Sequence, residues 1–187
     1  MRSIRFIAAT AAAFLFSLGL SFVHAQQPAA ENSRVQAGRA FVTDQGIPLN
    51  ISHQSSGSVA LGSYLVNSVA GCNDCHTAPP YTQNPFAGLG APKQVNVPCY
   101  LSGGMAFGPF VSRDITPWEN GMPAGLTFAQ FEHVMRTGED PEHPGQVLQV
   151  MPWPTFQTMT DQDLHAIYDY LSVIPAIPAN TCGAPSE

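Results

Sequence analysis

Two cysteines and a histidine lie within five residues, in the sequence C-N-D-C-H that spans Cys72–His76. This spacing is compatible with a redox-active dithiol, half of a zinc site, or covalent attachment of a haem. A redox dithiol normally follows a buried strand in a βαβ unit, whereas the segment before Cys72 has a helical pattern. A zinc site needs a second ligand pair, and the sequence has no second C-x-x-C and no H-x-x-x-H. The pattern therefore favours the haem.

Covalent haem attachment uses all three residues. Two thiols separated by two residues can add to the two vinyl groups on one edge of a haem and form two thioethers. The next residue, His76, then offers its imidazole to the iron. We predict one haem c, held covalently by Cys72 and Cys75, with His76 as an axial ligand of the iron.

The second axial ligand is predicted to be Met151. It begins the sequence Met-Pro-Trp-Pro, in which Pro152 and Pro154 restrict the backbone that would present the thioether. Met151 also lies 75 residues after His76, before the last predicted helix. The alternative interpretation is that Met151 is a buried apolar residue in a proline-rich turn. The other methionines and histidines considered as ligands are Met105, Met122, Met135, Met159, His53, His133, His143 and His165.

The N-terminal residues have the features of a secretory signal peptide. Arg2 and Arg5 precede an apolar stretch, and the sequence ending at Ala25 has small residues where a signal peptidase would cleave. A retained membrane anchor is the alternative, but the apolar stretch is near the minimum of about 17 residues for a spanning helix. We therefore expect residues 1–25 to be removed, the protein to be periplasmic, and no membrane span to remain.

The charge of the remaining chain limits its partners. Without Arg2 and Arg5 it has five basic residues and thirteen acidic ones, a formal charge of −8. Nucleic acids and anionic lipids require clustered Lys and Arg, so neither is an expected partner. The excess of acidic residues is compatible with a protein partner that has a basic patch, or that docks through apolar contacts.

Three helices are predicted to position the chemical groups. Apolar residues from Val59 onward follow a helical spacing that runs directly into Cys72. Thr127 and Gln130 form the sequence pattern of a capping box at the start of a second helix. Thr160 is predicted to cap the last helix.

The remaining segments lack helical periodicity. Residues 77–126 are rich in glycine and proline, and so long an irregular stretch is uncommon unless it wraps around something. Residues 26–57 are predicted to be an N-terminal arm with a short helical turn near Arg34 to Val42, either a flexible spacer or a docking element. A haem-binding domain at 58–178 and a C-terminal tail at 179–187 follow.

Cys99 and Cys182 lie outside the C-x-x-C-H motif. We favour a disulfide between them, which an oxidising compartment permits. A thiolate ligand to the iron and an intermolecular bridge are the alternatives, because sequence alone does not give connectivity.

Several of these segments resemble class I c-type cytochromes. More narrowly, they are similar to bacterial periplasmic monohaem cytochromes related to the cytochrome subunits of alcohol and gluconate dehydrogenases. The matching segments besides Cys72–His76 are Leu101–Gly104, Arg113–Pro117, Leu126–Thr127 with the helix after it, Val150–Pro154, Thr160–Leu164 and Ile167–Leu171. The resemblance covers roughly residues 58–175. Those dehydrogenase subunits carry several C-x-x-C-H motifs and this chain carries one, so it is not expected to pass electrons along several haems by itself.

The resemblance implies an all-α class I cytochrome c fold, with a few short helices and long loops wrapped around one covalent haem. Its first and last helices would cross, with Gly62 allowing the close approach and with Tyr64 and Tyr168 packing nearby. It also implies axial ligation by His76 and Met151, and a backbone carbonyl near Pro79 or Pro80 that orients the His76 ring. The predicted haem-pocket residues are Pro79, Pro80, Trp153 and Tyr168.

The function expected from these features is electron transfer rather than catalysis. Ligation by His76 and Met151 would fill both axial positions and leave none for a substrate. We expect a carrier of single electrons between a donor dehydrogenase and a respiratory acceptor. A dedicated cytochrome subunit of a periplasmic dehydrogenase, and a haem enzyme or sensor with a displaceable sixth ligand, are the alternatives.

Overall fold

A computed structural model describes residues 27–82, 93–178 and 181–182, with side chains from Asn32 onward. The predicted signal peptide and most of the predicted C-terminal tail lie outside the described residues. The chain divides into two units, Met1–Asn32 and Ser33–Glu187. Of the first unit, only residues 27–32 are described, as the start of a helix.

The described residues are mostly helical. The helices are α1 (Gln27–Gln45), α2 (Ser56–Tyr64), α3 (Cys72–His76), α4 (Phe128–Thr137), α5 (Trp153–Phe156) and α6 (Asp161–Val173). A π-helical segment, Leu65–Val69, continues α2, and a 3₁₀ turn spans Val97–Cys99. Strands β1 (Ala106–Phe107) and β2 (Phe110–Val111) form an antiparallel hairpin with Ala106 opposite Val111. The predominance of helix is confirmed. The hairpin was not predicted, because two-residue strands are too short to show alternation.

Helices α2 and α6 meet at Gly62. A Cβ atom added to Gly62 would overlap the carbonyl of Ala166 and lie 2.7 Å from Cβ of Tyr170. The close approach predicted at Gly62 is therefore confirmed. The α6 tyrosine at this contact is Tyr170, whereas the ring of Tyr168 lies 5.5 and 5.6 Å from two phenylalanine rings of α4.

The segment before Cys72 is not one continuous helix. The π-helical segment ends at Val69, and Gly71 adopts a left-handed conformation with φ of 64° before α3 begins. This break corrects the expected run into the motif. A left-handed residue changes the direction of the chain, and glycine adopts it without steric cost.

The N-terminal arm contains a longer helix than the predicted turn. Within the unit from Ser33 onward, Gly38 of α1 lies so close to α2 that an added Cβ would overlap the carbonyl of Ala60. The Ser63 hydroxyl donates to the Gly38 carbonyl at 3.0 Å. The described part of α1 from Ser33 onward is therefore packed against α2 rather than a flexible spacer. Val35, Phe41 and Val42 of α1 also pack against the core, but these few apolar residues in a mostly polar helix predicted no more than a short helical turn.

Both predicted helix caps are present. The Thr127 hydroxyl accepts from Gln130 N at 3.4 Å, and the Gln130 side chain accepts from Thr127 N at 2.9 Å, which completes the capping box of α4. The Thr160 hydroxyl accepts from Asp163 N at 3.1 Å at the start of α6. These bonds satisfy N–H groups that a helix leaves unpaired at its first turn.

Cys99 and Cys182 form a disulfide, with Sγ atoms 1.98 Å apart. This is the pairing that the sequence favoured. It connects the 3₁₀ turn at Val97–Cys99 to the C-terminal part of the chain, across 83 residues. None of the helices that the structure describes is long and apolar enough to cross a membrane.

Candidate functional site

Helix α3 presents all three residues of the C-x-x-C-H motif. Cys72 and Cys75 are three residues apart, so their side chains lie on neighbouring turns of one helix face. Cys72 packs against the core formed by α2 and α6, and Cys75 is half-buried. Neither is in a disulfide. The helix therefore offers two thiols on one face with His76 directly after them.

The environment of the two thiols does not activate them. Burial raises the pKa of Cys72 to about 12, and the nearby Cys75 and Asp74 raise it further against an opposing backbone hydrogen bond. Burial and then Asp74 also raise the pKa of Cys75. Redox dithiols and zinc-binding cysteines act as thiolates and are found where the thiol pKa is lowered. This environment disfavours the dithiol interpretation.

His76 is held by a main-chain carbonyl. Its Nδ1 lies 2.7 Å from the carbonyl oxygen of Arg113, which can only accept, so Nδ1 carries the proton and Nε2 has a free lone pair. Burial lowers the pKa of His76, against opposing effects of this hydrogen bond and of Asp114. The imidazole is therefore neutral and oriented, as a metal-ligating histidine requires.

Pro79 and Pro80 do not provide that carbonyl, which corrects the expectation drawn from the resemblance. The Pro80 carbonyl accepts from Asn73 Nδ2 at 3.1 Å and from Asn96 N at 3.2 Å. The Pro79 carbonyl accepts from Asn96 Nδ2 at 3.1 Å. The two prolines thus shape the loop after α3, while the acceptor for the His76 ring is the carbonyl of Arg113, from a later part of the chain.

Buried hydrogen bonds fix Cys72–Pro80, which we call the His76 segment. The Thr77 hydroxyl donates to Asn73 Oδ1 at 2.8 Å and accepts from Leu101 N at 2.9 Å. The His76 carbonyl accepts from Gly103 N at 2.7 Å. Thr77 and Asn73 are both buried. The orientation of α3 is therefore specified on both sides of His76.

Arg113 also contributes an unused donor. Its Nη2 lies 3.1 Å from the Glu142 carboxylate and 3.2 Å from the Ala124 carbonyl, and its guanidinium lies 4.9 Å from the centre of the Trp118 ring. Its Nε is buried and has no hydrogen-bond partner among the described residues. A buried donor without an acceptor is costly. A carboxylate is the kind of acceptor that this donor lacks.

Met151 is partly buried against the same core that Cys72 and Tyr168 contact. Its carbonyl accepts from Trp153 N at 2.8 Å, where α5 begins. The Tyr168 hydroxyl donates to the Leu126 carbonyl at 2.8 Å, which ties α6 to the loop before α4. Cys72, Met151 and Tyr168 thus each pack against this core, while Trp153 packs on α4.

Two features of the site were missed from the sequence. One is Arg113, whose carbonyl accepts from His76 Nδ1 and whose Nε is buried without a partner among the described residues. The other is a buried pair of tyrosines, with the Tyr100 hydroxyl 2.9 Å from that of Tyr170 and donating to Asn67 Oδ1 at 2.6 Å. Both tyrosines lie close enough to Cys72 for electrostatic interaction. No sequence motif links these positions.

Comparison with protein-family models and with curated proteins finds no match for this chain. Within residues 27–82, 93–178 and 181–182, no group of three or more His, Cys, Asp or Glu side chains could hold a metal ion.

Proposed function

We propose that this protein is a periplasmic monohaem cytochrome c with the class I fold, and that it carries single electrons between a dehydrogenase and a respiratory acceptor. The observation that carries the proposal is the state of His76. Its imidazole directly follows two thiols on α3, is buried and neutral, and is oriented by the Arg113 carbonyl 2.7 Å away. This is the arrangement that a c-type haem requires of its protein.

The residues that would hold the haem have separate tasks. Each thiol, of Cys72 and of Cys75, would add across one vinyl group, so that a carbon–sulfur bond forms and the thiol proton goes to the neighbouring carbon. His76 would ligate the iron through Nε2, and the Met151 thioether would occupy the opposite position. Arg113 Nε would donate to a propionate. The haem, when bound, supplies an iron that takes up and releases one electron.

The surrounding protein suits electron transfer more than catalysis. With His76 and Met151 both engaged, no position on the iron is left for a substrate. The hydrogen bonds of Thr77 and Asn73 hold the His76 segment in one geometry. Ligands that stay in place when the charge on the iron changes keep the rearrangement on electron transfer small. These properties support a carrier.

The exposed surface supports docking to a protein partner. Seven large hydrophobic side chains are exposed among the described residues, and five lie between positions 110 and 150, in the stretch that leads to Met151. These five are Phe110, Val111, Trp118, Val147 and Val150. The chain without its predicted signal peptide has a formal charge of −8. Exposed apolar side chains offer contacts to the apolar patch of a redox partner, and a basic rim on that partner would be attracted to the acidic chain at low salt.

The test is covalent haem attachment in the exported protein. The double variant Cys72→Ser/Cys75→Ser should lose the haem that wild type retains after denaturation, measured by mass spectrometry and by the absorption spectrum. The matched control is Cys99→Ser/Cys182→Ser, which removes the same number of sulfurs and should keep the haem.

Two results would contradict the proposal. Wild type without covalent haem would exclude a c-type cytochrome. Wild type with haem whose reduced form binds carbon monoxide readily would exclude a simple carrier and indicate an enzyme or a gas sensor.

A further inference from the structure

The indole ring of Trp153 lies directly on Gly138, the C-cap residue that follows α4. Gly138 is buried and has φ of 70°, in the left-handed region. A Cβ atom added to it would overlap Cδ1, Cε2 and Nε1 of Trp153, so the ring occupies the space that any other side chain would need. Glycine is thus required here both by the backbone conformation and by the ring.

Backbone hydrogen bonds also hold the chain between Gly138 and Trp153. Leu148 N donates to the Gly138 carbonyl at 2.8 Å, and Trp153 N donates to the Met151 carbonyl at 2.8 Å. The stretch Leu148–Trp153, which we call the Met151 segment, is therefore held to Gly138 at its first residue by a hydrogen bond and at its last residue by the ring. Met151 lies between these two attachments.

This arrangement matters because a thioether has little means of fixing itself. A methionine side chain has three rotatable bonds and no strong hydrogen-bonding group, so its position depends on the backbone that carries it. Pro152 and Pro154 limit that backbone locally. The two prolines do not fix the position of the Met151 segment relative to α4. The contact of Trp153 with Gly138 fixes that position.

We propose that Gly138 and Trp153 are positioning residues for Met151: the ring, seated on the glycine, sets the location of the thioether that ligates the iron. This inference rests on the proposed haem function. If it holds, displacing the ring leaves the haem attached to α3 but frees the sixth position.

The experiment compares Gly138→Ala with Gly121→Ala in the purified holoprotein. Gly121 has nearly the same conformation, with φ of 73°, but nothing in the described part of the chain lies within 4 Å of an added Cβ. The two variants share the cost of a left-handed alanine and differ in the contact with a tryptophan ring. The readouts are the weak far-red charge-transfer band of the oxidised protein, which reports sulfur ligation, and carbon monoxide binding by the reduced protein.

Gly138→Ala should keep its covalent haem, lose the far-red band and bind carbon monoxide. Gly121→Ala should keep the band and exclude carbon monoxide, as wild type does. If Gly138→Ala retains the band and excludes carbon monoxide, the positioning role is wrong. The same holds if Gly121→Ala loses the band to the same extent, since the effect would then come from backbone strain alone.

Trp153→Leu provides the test if Gly138→Ala does not fold. It keeps apolar volume but removes the flat ring, and it should also lose the band and bind carbon monoxide, whereas wild-type behaviour would reject the proposal. Failure of the haem function itself is distinguishable, because wild type would then lack the band. A wild-type protein with the band, together with variants that match it, rejects only the positioning role.

Discussion

The His76 segment and the Met151 segment are held in place by different kinds of interaction. In the His76 segment, buried side chains form hydrogen bonds: Thr77 bridges Asn73 and Leu101 N, and Asn73 reaches the Pro80 carbonyl. In the Met151 segment, the side-chain hydrogen bond of Gln149 to the Val147 carbonyl is exposed. That segment depends on backbone bonds and on a ring lying on a glycine.

This difference has a physical consequence for a site that uses both segments. Buried hydrogen bonds have angular requirements and are costly to break, so they specify one geometry. Packing of a ring against a glycine has weak directional requirements, so it specifies a single geometry less strictly than buried hydrogen bonds do. In the proposed haem site, the His76 ligand should therefore tolerate perturbation elsewhere, while the Met151 ligand should be the one that detaches.

The largest expected effect comes from removing the Thr77 hydroxyl. Thr77→Val keeps the side-chain shape but leaves Leu101 N and Asn73 Oδ1 buried without this partner. We expect the free energy of unfolding to fall by about 2–4 kcal/mol, measured by urea denaturation of the holoprotein. Thr77→Ser retains the hydroxyl and should lose clearly less. Equal losses in the two variants would mean that packing, rather than hydrogen bonding, holds the His76 segment.

A smaller effect is expected at the tyrosine pair beside Cys72. Tyr170→Phe removes the hydroxyl that lies 2.9 Å from that of Tyr100. At neutral pH we expect a loss of about 1 kcal/mol in the free energy of unfolding.

The effect of Tyr170→Phe should depend on pH. Burial raises the pKa of Tyr170 to about 12, above its ordinary value near 10. Between these values the unfolded chain releases the proton that the folded protein keeps, so this stabilisation of wild type is present below pH ~10 and is lost as pH rises toward ~12. The difference between wild type and Tyr170→Phe should shrink over that window. A constant difference from pH 7 to pH 11 would contradict the buried, protonated pair.

The smallest effect is expected next to the Met151 segment, at the exposed pair of His133 and Glu139. The hydrogen bond from His133, at 2.7 Å, and then that from Gly145 N lower the pKa of Glu139. Stability from a lowered carboxyl pKa is present above the ordinary value near 4.3 and is lost as pH falls through the lowered one. His133→Ala should raise the Glu139 pKa in an NMR titration and leave the melting temperature at pH 7 unchanged. A large drop in melting temperature would show that the region of the Met151 segment also relies on polar contacts.

Local signals in the sequence predicted the parts of the fold that depend on neighbouring residues. The caps of α4 and α6 are formed by Thr127 with Gln130 and by Thr160. Their hydrogen bonds to N–H groups of the first turn join residues only three positions apart, so the sequence predicts them without the tertiary structure. Gly62 was predicted through the resemblance and lies at the contact of α2 with α6.

What the sequence did not indicate depends on contacts between distant residues. The acceptor of His76 is a main-chain carbonyl, which every residue has, so nothing marks Arg113 for that role. Tyr100 and Tyr170 are separated by 70 positions and no motif connects them. The packing of α1 uses Gly38 together with Val35, Phe41 and Val42, and so few apolar residues in a mostly polar helix do not indicate its length or its contact with α2.

Ligation of the proposed haem iron by Met151 is tested most directly by the far-red band of the oxidised holoprotein in Met151→Ala and Met159→Ala. Both methionines are partly buried against the same core, so the two substitutions remove similar volume from similar surroundings. Wild type and Met159→Ala should show the band, whereas Met151→Ala should lack it and should bind carbon monoxide when reduced. A band that persists in Met151→Ala would place another sulfur on the iron and contradict ligation by Met151.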